Sequence, residues 1–170
     1  MPSLTVWRYD TPMGADAGGV RLKDLEQRGA LRVHDAITVT WLKEESQPRI
    51  GQLRHATTAA AGKGTLLGGL IGMVVLAPVA GAAAGAAIGA VAHRLRGTGI
   101  DRSLLEEVKA ALEPGTSALI VLASDVDLDA VRPFLDRRDS VLIHAELSQD
   151  APEVLASAIK RAKAPPARKR

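Results

Sequence analysis

Four histidines, His34, His55, His93 and His144, are the chain's acid–base groups near neutrality, and its 170 residues contain no cysteine. No thiolate ligand, disulfide or cysteine nucleophile is therefore available. The histidines have no metal-ligand spacing. Asp125, Asp127 and Asp129 alternate like the first ligands of a calcium loop, but that loop's glycine and distal glutamate are missing, so Asp127 is expected to cap a helix instead. Gly62-Lys63-Gly64-Thr65 holds pieces of a phosphate loop without its order or a preceding strand. No serine sits in a nucleophile elbow. The aromatics, Trp7, Tyr9, Trp41 and Phe134, are not interleaved with basic residues as in single-strand nucleic-acid binders. One constellation is left. If Leu4 and Val6 face the helices of the sheet, Thr5, Trp7 and Tyr9 face away, and if Val141, Ile143 and Ala145 do so, Leu142, His144 and Glu146 face away. Trp7, Tyr9, His144 and Glu146 would then share one face and offer a ligand site, or an acid–base pair beside a phenol.

Two groups of strands and helices must position these residues. Leu4–Tyr9 alternates as a strand, Asp16–Arg28 has helical spacing ended by Gly29, and Leu31–Leu42 is a second strand. Arg49–His55 is a short third strand. Asp101 or Ser103 opens a helix to Leu112, Ala118–Ala123 is apolar on both faces as a central strand requires, and Asp127–Arg138 is a helix interrupted by Pro133. Val141–Leu147 is a strand and Ala151–Ala162 a last helix. Leu25–His34 aligns without gaps to Leu135–His144, and the two halves read as βαβ units. Together they predict an α+β, ferredoxin-like β-α-β-β-α-β sheet with helices on one face.

Between the halves, Gly64–Ala92 is 29 residues without Asp, Glu, Lys or Arg, with seven glycines and nine alanines. Gly64, Gly68 and Gly72 recur at spacing four, and after Pro78 so do Gly81, Gly85 and Gly89. Each triplet lies on one helical face, where missing side chains let another helix come close. Such close packing must offset about 1 kcal/mol per glycine in a helix interior. Helices over Thr65–Leu76 and Val79–Leu95 would be about 18 and 26 Å long, short of a roughly 30 Å hydrocarbon core. A hairpin turning at Pro78 is expected, re-entrant or spanning by tilt and thinning. Basic residues flank both ends, Arg54 and Lys63 before, Arg94, Arg96 and Arg102 after, which favours both ends on the cytoplasmic side. The organisation expected is 1–56 for the first βαβ half, 57–98 for the hairpin, 99–163 for the second half with its flanking helices, and 164–170 for a basic tail.

The net charge of +3 comes from Lys160–Arg170, whose six basic residues, once removed, leave 16 basic against 19 acidic. That tail fits weak attraction to anionic lipid. Met1–Asp10 lacks the pattern of a secretory signal.

The hairpin with its flanks resembles a bacterial family catalogued as domain of unknown function 1269, often described as membrane proteins. Gly68-Gly69-Leu70-Ile71-Gly72, Pro78, Gly81–Gly89 and Gly99-Ile100-Asp101 carry the resemblance, with Leu112-Glu113-Pro114-Gly115-Thr116-Ser117-Ala118-Leu119 its most distinctive stretch. It covers roughly Leu4–Leu147, implies membrane association and supplies no catalytic residues. The expectation is a non-enzymatic, self-assembling protein on the cytoplasmic side of the bacterial inner membrane. It needs no cofactor or metal and no specific nucleic acid, and its partners are its own copies and the bilayer. The alternative is a soluble, cytoplasmic oligomeric binding module with the hairpin buried between subunits. A small enzyme using Tyr9, His144 and Glu146 is the third reading.

Overall fold

The computed structural model describes residues 1–53, 66–75, 82–135 and 140–163. Local rules account for most element ends. β1 (Ser3–Tyr9) leads into α1 (Gly14–Gln27), which closes on Gly29 at φ +74, with the Ala30 amide donating to the Leu25 carbonyl. β2 (Arg32–Thr40) and β3 (Arg49–Gln52) form an antiparallel pair. The hairpin region supplies α2 (Leu66–Val75) and α3 (Ala82–Arg94). The Asp101 carboxylate accepts from the Leu104 amide at 2.8 Å and caps α4 (Arg102–Ala111). After β4 (Ser117–Ser124), Asp127 accepts from the amides of Asp129 and Ala130, so it caps α5 (Leu128–Leu135). β5 (Ser140–Glu146) and α6 (Ala151–Lys163) complete the fold.

The result is an α+β molecule with one five-stranded antiparallel sheet in the order β3-β2-β4-β1-β5. The apolar β4 lies at its centre, with strands on both sides and side chains buried on both faces.

Helices cover both sheet faces; α1 and α5 share one, but it is the face of Trp7 and Tyr9 and not that of Leu4 and Val6, which corrects the expected facing of β1. α1 and α5 pack on the face of Trp7, Tyr9, Leu119, Val121 and Ala123. α2, α3, α4 and α6 build the other core, around Leu4, Val6, Ile37, Val39, Ile120 and Ile143. Trp7 and Tyr9 therefore lie beneath α1, and Leu4 and Val6 lie beneath the hairpin region and the last helix. Alternation separates the two faces of a strand but does not say which helices will cover each.

Glycine decides the close approach of α1. A Cβ on Gly14 would run into the Tyr9 side chain, and one on Gly18 into its hydroxyl. With hydrogen there, the phenol ring fits between helix and sheet at 8% exposure.

Candidate assembly site

α2 is apolar around much of its circumference, and its own sheet takes up the widest part of that surface. Leu67, Leu70, Ile71, Val74 and Val75 are buried, with Leu67 and Val74 at 0% exposure. Burial of each large aliphatic side chain contributes about 2 kcal/mol. The helix contacts β2, β3 and β4 beneath it and α3 and α6 beside it. A buried carboxylate fixes its N-terminus. Asp35 of β2 is 8% exposed and accepts from the Leu67 amide at 2.8 Å. The charge satisfies a free amide of the first turn and meets the positive end of the helix dipole.

A β-bulge delivers that carboxylate. The β2–β4 register shifts between Val33 and Asp35. Strict alternation would put both residues on one face, yet Val33 packs in the α1 core while Asp35 reaches α2 on the other side. The extra residue, His34, bonds to the Ser124 hydroxyl at 2.9 Å.

Of the glycine triplets, Gly68 and Gly72 lie on α2, Gly85 and Gly89 on α3; Gly64, Pro78 and Gly81 fall outside the described residues. The two helices pack against each other. Among the described residues a Cβ on Gly72 would meet no atom within 4 Å. At Gly85 and Gly89 the nearest atoms are the Arg102 guanidinium nitrogens, at 3.7 and 4.0 Å. Arg102 itself is half out in solvent and pairs with Glu106 at 2.7 Å. The tight helix contact uses Gly69 instead, where a Cβ would lie 2.8 Å from Ile159 of α6. So packing among the described residues does not require Gly72, Gly85 and Gly89 to be glycine, although glycine is the costliest ordinary residue at such positions.

The four residues of the suggested ligand face share one side of β1 and β5 but not one environment. Register places Thr5 opposite His144, Trp7 opposite Leu142 and Ser3 opposite Glu146. His144 and Glu146 are exposed, and the His144 Nδ1 is hydrogen-bonded to the Thr5 hydroxyl at 2.9 Å. Trp7 and Tyr9 are withdrawn under α1, where they line a cavity of about 20 Å³ with Gly18, Arg21, Leu22, Leu25 and Leu119. The Trp7 indole Nε1 is buried without a hydrogen-bond partner. That volume suits one water rather than a substrate. Among the described residues no group of three or more His, Asp or Glu side chains is placed to hold a metal. Lys160 and Arg161 are exposed on α6, and residues 164–170 of the basic tail lie outside the described residues.

Sequence reasoning did not single out Asp35, Gly14, Gly18 or Gly69. Gly14 and Gly18 carry the spacing-four signal that marks a close helix contact. Asp35 carries no local signal, because its partner lies 32 residues away. Among the described residues no helix is long and apolar enough to cross a membrane. The family model described as "Protein of unknown function (DUF1269)" matches residues 61–160. No curated protein and no solved structure matches the chain.

Proposed function

We propose for this chain, a member of the protein family of unknown function DUF1269, a role in assembly rather than catalysis. It is a non-enzymatic module with ferredoxin-like topology in which β2-β4-β1-β5 is the shared core and β3 an added edge. A glycine-zipper hairpin is inserted between its halves, docked on its own sheet and used to bind further copies of the chain. One observation carries this reading. Among the described residues Gly72, Gly85 and Gly89 stand where a side chain would be accepted, and an approaching helix would account for their small size. Homo-oligomers built this way need no cofactor.

Membrane association is the second reading, favoured by the 29-residue uncharged run and its basic flanks. In it the hairpin leaves the sheet for the bilayer on the cytoplasmic side of the bacterial inner membrane, with the tail against anionic lipid. Undocking exposes the sheet's own apolar face, around Leu4, Val6, Ile37, Val39 and Ile120. Lipid offsets the exposure of the helix but not that of the sheet. The docked form is therefore favoured for the isolated chain.

Two measurements separate the readings. Gly72→Leu is expected to lower the mass seen by light scattering while leaving the monomer folded; unchanged mass refutes assembly through this face. Untagged chain from cells is expected in the supernatant after alkaline carbonate extraction, and a carbonate-resistant pellet selects the membrane form.

A further inference from the structure

β5 is an edge strand, and its hydrogen-bond phase can be read from its end. The Leu147 amide donates to the Pro2 carbonyl at 2.9 Å, continuing the β1–β5 register. Antiparallel pairs alternate between hydrogen-bonded and non-bonded. Ala145, Ile143 and Val141 therefore direct N–H and C=O toward β1, while Glu146, His144, Leu142 and Ser140 direct theirs outward. Among the described residues the outward row is closed at one end only. The Ser148 amide donates to the Thr98 carbonyl at 2.9 Å, and a Cβ on Gly99 would lie 2.5 Å from the Glu146 carbonyl oxygen. Along the rest of the edge, Leu142 is 40% exposed and His144 is exposed.

Natural edges are protected by shortness, charge, proline or a bulge. The opposite edge, β3, is four residues long and begins with Arg49. β5 runs seven residues, Ser140-Val141-Leu142-Ile143-His144-Ala145-Glu146, without proline, lysine or arginine, and its pairing with β1 has no register shift.

We infer that the outer edge of β5 pairs antiparallel with β5 of a second copy, about a two-fold axis at Leu142, joining two sheets into one. A copy of this strand meets the same phase and brings a matching exposed Leu142 to it. Outward residues must meet outward residues, and a two-fold axis at Leu142 brings Leu142 opposite Leu142 and Ser140 opposite His144, all in phase. Each of these three pairs exchanges two backbone hydrogen bonds. The exposed Leu142 side chains then cover each other on the same sheet face. The closed end of the edge stays outside the paired stretch, because Glu146 has no opposite number within the partner's β5. This surface is separate from the glycine hairpin and does not depend on it.

The absence of cysteine gives a clean test. In a hydrogen-bonded pair the Cα atoms lie about 5.5 Å apart, within disulfide reach. Full-length Leu142→Cys is oxidised mildly beside Val20→Cys, an exposed control at 72% exposure on α1. Leu142→Cys is expected to form covalent dimer at least about tenfold faster, because pairing holds the thiols at millimolar effective concentration. His144→Cys alone is expected to stay at the control rate, since its copies lie roughly 13 Å apart along the strands. Mixed Ser140→Cys and His144→Cys should cross-link. Gly72→Leu in the Leu142→Cys background should leave the rate unchanged, which separates this edge from the hairpin. Leu142→Cys at the control rate overturns the pairing, as does preferential cross-linking of mixed Leu142→Cys and His144→Cys, which places the axis elsewhere.

Discussion

Replacing Gly72, Gly85 and Gly89 together by alanine sets the needs of the monomer against those of the assembly. Among the described residues the three added methyl groups meet nothing closer than the Arg102 guanidinium nitrogen 3.7 Å from the Gly85 site, so no steric cost is expected. Helix propensity then dominates. Alanine is favoured over glycine by about 1 kcal/mol in a helix interior. Gly89 has an interior position, while Gly72 sits in the last turn of α2 and Gly85 in the first turn of α3, where the gain is smaller. A total of about 2 kcal/mol is expected, which for a chain of this length raises Tm by roughly 4–8 °C. The assay is thermal unfolding followed by circular dichroism, at a dilution where light scattering reports monomer. At higher concentration the same variant should assemble less, since each methyl group holds a partner helix further off. A lower Tm in the monomer would refute the reasoning, because the glycines would then serve the fold itself.

Other consequences follow from single residues. Asp35→Ala removes the acceptor at the start of α2 and should cost about 1–2 kcal/mol in urea unfolding, with faster amide exchange in α2 than in α4. Equal exchange in the two helices would show that Asp35 does not anchor the hairpin. Gly18→Val forces a side chain against the Tyr9 hydroxyl and should destabilise by roughly 1–3 kcal/mol, with Tyr9→Phe in the same chain restoring part of the loss. No recovery in the double variant would place the strain elsewhere.

The legible parts of the fold were those written in short stretches. Ala118–Ala123 declares a central strand because both its faces are apolar, and β4 is central. Asp101, Asp127 and Gly29 declare helix ends because capping is a contact across a few residues. What the sequence hid was relational. The two faces of β1 look alike as patterns, one with Leu4 and Val6, the other with Trp7 and Tyr9. Only the glycines of α1 decide that the large rings lie beneath that helix. The hairpin glycines were readable as a motif, yet the residue in tight intramolecular contact is Gly69, outside both triplets. Asp35 reads as a polar interruption of a strand until the bulge turns it toward α2.

The sheet order also imposes a timetable on synthesis. β1 and β2 are not neighbours but are joined through β4, which lies between them, and among the described residues β2 otherwise pairs only with the short β3. The ribosome delivers α2, ending at Val75, well before β4 is completed at Ser124. At about 5–20 residues per second that interval lasts several seconds. During it the most apolar helix of the chain has left the ribosome while the surface made to receive it is unbuilt. Any choice between lipid, another copy and its own sheet is therefore made by a race, with the arrival of β4 as the closing time.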